Sequence, residues 1–198
     1  AGVSESKGYT QNFIVPGCRV IPIWPRRNQP IQLKSVDADI LIQDQVATTS
    51  LFITLFNPDR MAQESKLLLP VPIGASVTEL VIDGGEKLSS RILTKEQAGK
   101  IYQQIVDKLS DPSLLEFRGE ALLFSKLFPI EGGKTRTIKV TYEHVLKRSG
   151  LRTDYYLPRT QSLANHVPWT AKIRIESSDK LSTVYSPTHM ISVDQQGL

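Results

Sequence analysis

Residues 36–56 read VDADILIQDQVATTSLFITLF, and the alternation inside them decides the fold class. Val36, Ala38, Ile40 and Ile42 recur at a period of two, with Asp37, Asp39 and Leu41 between them. Successive side chains of a strand point to opposite faces, so this run reads as a half-buried β-strand. After Gln43-Asp44-Gln45 the alternation resumes, with Leu51, Ile53 and Leu55 on one face and Phe52 and Phe56 on the other. The short polar break suits an antiparallel hairpin. Asn57-Pro58-Asp59 then supplies turn chemistry and closes the second strand.

Working outward, the same grammar repeats. Lys66–Leu69 stops at Pro70 and Pro72, and Val77–Ile82 stops at Asp83-Gly84-Gly85. Leu114-Leu115 and Ala121–Phe128 are apolar and strand-like, the latter ended by Pro129. Ile130-Glu131-Gly132-Gly133 is a turn, after which Ile138, Val140 and Tyr142 alternate with Thr137, Lys139 and Thr141. Leu151–Leu157 reads as a further strand up to Pro158. One helix is expected over 95–109: Thr94 and Gln97 have capping-box spacing, and Ala98, Ile101, Tyr102, Ile105 and Leu109 form a single apolar stripe. The expected fold class is therefore mainly β, an antiparallel β-sandwich with one amphipathic α-helix.

Three regions follow along the chain. Residues 1–35 are an N-terminal arm and a Pro-rich strap, in which Pro16, Pro22, Pro25 and Pro30 are interleaved with Val20, Ile21, Ile23 and Trp24. Proline at that density forbids a helix and disfavours a central strand, leaving a strap laid on the domain or a linker. Residues 36–158 form the β domain. Residues 159–198 open on Ala171, Ile173 and Ile175 and run with Leu181, Val184 and Ile191 through a further β region. That region either finds partner strands past Leu198 or adds to the first sheet.

The pieces in 36–158 come in an order that resembles the vault protein/inter-alpha-trypsin (VIT) domain. They are the strand Leu51–Asn57, the element Leu69-Pro70-Val71-Pro72, and an apolar strand running into Asp83-Gly84. Glu96, Ala98 and Tyr102 then stand at Glu-x-Ala-x-x-x-Tyr spacing, followed by Leu114-Leu115-Glu116, the Glu131-Gly132 turn, and Val140-Thr141-Tyr142 with Leu146. The turn after Phe128-Pro129 departs from the family's usual Pro-Gly, and Gly85 is an extra residue. The resemblance implies a non-catalytic protein–protein interaction or scaffolding module, like those of inter-alpha-trypsin inhibitor heavy chains. It further implies a downstream adhesive domain of the von Willebrand A type as neighbour and partner, and an extracytoplasmic setting, secreted, periplasmic or at the cell surface.

Composition is that of a folded domain of 198 residues, 40% apolar and 22% charged. The net charge is +4, but the basic runs are short, Arg26-Arg27 and Lys147-Arg148, so no nucleic-acid partner is expected. An anionic polysaccharide is the alternative partner, with Trp24, Trp169, Tyr155 and Tyr156 as candidate stacking aromatics and core or strap anchoring as their competing role. No run approaches the roughly 18 apolar residues of a membrane span.

No motif for catalysis, cofactor or metal is expected. The Asp-x-Ser-x-Ser metal motif of a von Willebrand A domain is missing, and Asp37-x-Asp39 lacks the rest of a calcium loop. His144, His166 and His189 have no ligand spacing, and Cys18, the single cysteine, can close no internal disulfide. Asp111, Glu116, Glu120 and Glu131 are the residues from which a glycosidase-like carboxylate pair could be drawn, the basis of a third reading as a hydrolase.

Overall fold

The computed structural model describes residues 13–15, 31–63, 66–83, 86–88, 90–94, 96–97, 100, 121–126, 129–157, 169–178 and 180–194. The run quoted above folds as the expected hairpin. Its strands are β2 (Gln32–Gln43) and β3 (Val46–Phe56), paired antiparallel so that Gln43 faces Val46 across a two-residue turn. Asp44 takes a φ of 50°, the positive sense that a two-residue hairpin requires and that aspartate tolerates. Val36, Ala38, Ile40 and Ile42 are buried, as are Leu51, Ile53 and Leu55, while Phe52 and Phe56 are half-buried on the far side.

Around the hairpin, β9 (Thr135–Val145) pairs antiparallel with β3 along eleven residue pairs, from Val46 opposite Val145 to Phe56 opposite Thr135. β5 (Ser76–Ile82) lies on the other side of β9, followed by the short β6 (Glu86–Lys87). On the opposite flank, β12 (Trp169–Glu176) pairs with β2 in parallel. The sheet order is β12-β2-β3-β9-β5-β6, and it is mixed rather than wholly antiparallel.

The second sheet has the order β1-β4-β8-β7, all antiparallel. Its strands are β1 (Phe13–Val15), β4 (Lys66–Val71), β8 (Ala121–Lys126) and β7 (Ser90–Leu93). The chain steps from β6 in one sheet to β7 in the other with Leu88 buried at the crossing and its amide held by the Leu80 carbonyl at 3.0 Å. Leu67, Leu69, Val71 and Leu123 of this sheet enter the same buried cluster as Ile53, Ile138, Val140 and Tyr142 of the other. Each such fully buried aliphatic side chain contributes about 1.5–3 kcal/mol relative to exposure, so the shared cluster is what joins the two sheets.

Several expectations change. Leu151–Leu157 is not a continuous strand: β10 (Arg148–Ser149) and β11 (Arg152–Thr153) form a small ribbon turning through Gly150, whose φ is 62°, and 154–157 is irregular. After β12, residues 180–194 contain no strand, so Leu181, Val184 and Ile191 do not extend the β region. The helix expected over 95–109 lies mostly outside the described residues, of which Glu96, Gln97 and Lys100 fall in that span and are helical. Its capping box is in place: Gln97 N donates to Thr94 Oγ1 and Thr94 N to Gln97 Oε1, each at 3.3 Å. Leu114-Leu115 and the strap 16–30 also lie outside the described residues.

Candidate functional site

Two polar constellations interrupt the apolar core, one at each end of the β3–β9 pair. The first begins at Thr49, which sits at an inward position of β3 among Ala47, Leu51 and Ile53 and is fully buried. A hydroxyl there needs a partner, and it shares a 2.9 Å hydrogen bond with the Tyr155 hydroxyl. Tyr142 lies directly opposite Thr49 in the ladder, and His144 opposite Ala47. The rings of Tyr142 and His144 are 6.2 Å apart, and those of His144 and Tyr155 5.9 Å. The irregular segment 154–157 is thus pinned over the end of β3 and β9, with Tyr155 and Leu157 packed on the core.

Burial governs the chemistry of this cluster. It pushes the Tyr142 hydroxyl far above its ordinary pKa, and the Tyr155 hydroxyl upward too, although Thr49 partly offsets the latter. The His144 imidazole is pulled below its ordinary value by the same desolvation. The Tyr142 hydroxyl and His144 Nδ1 are buried without a hydrogen bond, although the Thr49 and Tyr155 hydroxyls neighbour Tyr142. A neutral imidazole and two protonated phenols fit a packed plug better than an acid–base pair.

The second constellation is built on Asn57, which is fully buried where β3 ends. Its amide donates to the carbonyls of Met61 at 2.8 Å and Ile130 at 2.7 Å. Its oxygen accepts from the Asp59 amide at 3.0 Å and from Gln63 Nε2 at 3.1 Å. Gly133 N donates to both Asn57 O and Asp59 O, and Gln63 and Ile130 exchange backbone bonds. The 131–133 turn therefore sits on the 57–61 loop. The approach is so close that a Cβ at Gly132 would overlap the Arg60 carbonyl group. Every bond here closes a loop, which assigns Asn57 to architecture.

The other sequence candidates are scattered. Asp37 and Asp39 are exposed on the outer face of β2, where Asp37 accepts a bond from the Thr170 hydroxyl at 2.6 Å. His189 lies beside Thr188 in the irregular C-terminal stretch, remote in sequence from His144. Glu131 is exposed at its turn, whereas Asp111, Glu116, Glu120, His166, Cys18 and Trp24 lie outside the described residues. Trp169 opens β12, Tyr155 is occupied in the core cluster, and Tyr156 is exposed. Among the described residues no three His, Cys, Asp or Glu side chains gather as a metal site, and no helix is long and apolar enough to cross a membrane. Sequence reasoning missed the Thr49 cluster, and its signal was a lone hydroxyl at an inward strand position.

The model of the vault protein inter-alpha-trypsin domain matches residues 33–142. No curated protein matches the chain. Among solved structures, a Legionella pneumophila protein named for nutrient binding is similar at 12% identity and a TM-score of 0.40, over 59% of this chain and 40% of its own. A variant of the M1 zinc metallopeptidase of Deinococcus radiodurans is similar at 12% identity and a TM-score of 0.41, over 87% of this chain and 40% of that one. The chain thus spans about two-fifths of each of those proteins, and overlap this loose transfers no activity.

Proposed function

The chain belongs to the vault protein inter-alpha-trypsin domain family, matched from residue 33 to residue 142, and we propose that it serves as a non-catalytic protein–protein interaction module. The two sheets, with their shared core, act as the faces of a sandwich that presents a rigid surface. The observation that carries the reading is the family match laid over a described domain in which the buried Thr49, Tyr155 and Asn57 bond segments of the fold itself. Thr49, Tyr155 and Asn57 hold segments of the fold in place, and rigid scaffolds of this kind are what interaction domains use to position a surface. The finer reading is that the module docks against an adjoining adhesive domain of the von Willebrand A type in an extracytoplasmic protein.

Calorimetric titration of the chain with that adjoining domain tests this. Saturable heat, together with a raised unfolding temperature of the mixture, supports docking, because binding to the native state stabilises it. No heat and no shift at concentrations well above those of ordinary interfaces rejects it.

A further inference from the structure

β12 is the outermost strand of the six-stranded sheet, bonded on one side to β2. The carbonyl of Glu176 accepts from the Asp44 amide at 2.9 Å, on the side of the β2–β3 turn. Backbone groups alternate in direction along a strand, so Thr170, Lys172 and Arg174 also aim theirs at β2. Ala171, Ile173 and Ile175 therefore turn their N–H and C=O groups to the side on which no described strand pairs.

The same three residues stand beside Ala38, Ile40 and Ile42 in the register and share their face of the sheet. Burial changes abruptly between the two strands. Ile40 is 4% exposed and Ile173 is 50% exposed, Ala171 is exposed, and Ile175 is half-buried. The apolar layer covers β2 and reaches β12 at Ile175, leaving Ala171 and Ile173 exposed. On the opposite face β12 carries Lys172 and Arg174, with Arg174 reaching Glu176 at 3.1 Å and Glu176 accepting from Gln43 at 2.9 Å.

An edge unpaired among the described residues, with exposed apolar residues beside it, is a template for another strand. Native edges are commonly blunted by proline, a bulge or charge; β12 has no proline and no bulge, its residues running Trp-Thr-Ala-Lys-Ile-Arg-Ile-Glu in unbroken register, and its charges, Lys172, Arg174 and Glu176, stand on the face opposite Ile173. The cations choose the partner. Antiparallel pairing of two copies centred on Ile173 sets Lys172 opposite Arg174, and parallel pairing in register sets like cations side by side, which is unfavourable in either case. We propose that β12 accepts an extended segment of a partner protein as a seventh strand, with apolar residues over Ile173 and acidic residues beside Lys172 and Arg174. This deepens the interaction-module reading and rests on it.

The experiment uses two labelled, end-blocked peptides, one alternating valine with glutamate and one alternating valine with lysine, titrated with the chain by fluorescence anisotropy. The valine–glutamate peptide binds saturably and the valine–lysine peptide much more weakly. Ile173→Pro removes an outward amide that takes no part in the β2 ladder, a position where an edge strand tolerates proline. It weakens binding by about tenfold or more, the loss expected when a strand hydrogen bond goes and the ring obstructs pairing. The double variant Lys172→Glu/Arg174→Glu reverses the peptide preference and keeps the outward amides. Circular dichroism melts confirm that each variant is folded, and the charge reversal decides the matter if Ile173→Pro is not. Binding of neither peptide, equal binding of both, or a preference untouched by the charge reversal overturns the edge. Those results leave calorimetric docking of the adjoining domain, at another face, to stand or fall separately.

Discussion

Asn57→Ala tests whether the fold is held at the end of β3 by the four side-chain hydrogen bonds of one buried amide. The substitution removes two donated and two accepted bonds. The Ile130 carbonyl keeps the Gln63 amide at 3.0 Å, and Gln63 Nε2 keeps its 3.4 Å contact to Asp59. Each bond contributes about 1 kcal/mol net, and a buried donor left unpaired costs more than that. Some relaxation of the 57–63 loop offsets part of the loss, which leaves an expected destabilisation of about 3–4 kcal/mol. That is two to three orders of magnitude in the folding equilibrium, against a total stability of about 5–15 kcal/mol for a domain. In urea, with a slope of roughly 2–3 kcal/mol per molar, the midpoint falls by more than about 1 M with the slope unchanged. Asn57→Asp is nearly isosteric, yet it sets a carboxylate oxygen against the Met61 and Ile130 carbonyls and is at least as damaging at neutral pH. A loss below about 1 kcal/mol for Asn57→Ala, or an Asn57→Asp protein of parent stability, refutes the assignment of Asn57 as the tie between these loops.

The aromatic cluster yields an asymmetric pair. Tyr142→Phe removes a buried hydroxyl that has no hydrogen bond and is neutral or stabilising, whereas Tyr155→Phe abolishes the 2.9 Å bond to Thr49 and costs about 1 kcal/mol; denaturant midpoints of the two variants separate them. Gly132→Ala drives a Cβ into the Arg60 backbone, where no side-chain rotation relieves the clash, and lowers stability by roughly 2 kcal/mol or more, read from thermal melts. His144 gives a pH dependence. Its folded-state pKa lies below the ordinary 6.5, so as pH falls through 6.5 the unfolded chain takes up a proton that the folded ring resists, and stability drops. Replacing His144 with Gln flattens that part of the stability profile, measured as the difference between parent and variant midpoints across the range.

The sequence disclosed most where side chains alternate over one face. In β2, β3 and β9 the inward positions are mostly apolar, Thr49 and His144 being exceptions, and the outward ones mostly polar, Phe52 and Phe56 being exceptions; a slip of one residue would expose the apolar set, so pattern and register agree. The Asp44 turn was legible for the same reason. Length alone hid the rest: β10 and β11 are two residues each, too short for any periodicity. The parallel placement of β12 depends on a crossover, which no local signal encodes. The Thr49–Tyr155 bond joins residues 106 apart in the chain, so only the unusual inward hydroxyl hinted at it. Asn57 was readable as a turn former, but its role as a four-bonded tie appears only when the 57–63 and 130–133 loops meet.

The most direct test of the interaction-module reading is surface plasmon resonance of the folded chain over an immobilised domain of the von Willebrand A type, the partner proposed for it. The reading predicts saturable binding that is lost when the chain is unfolded. No binding by the folded chain would contradict it.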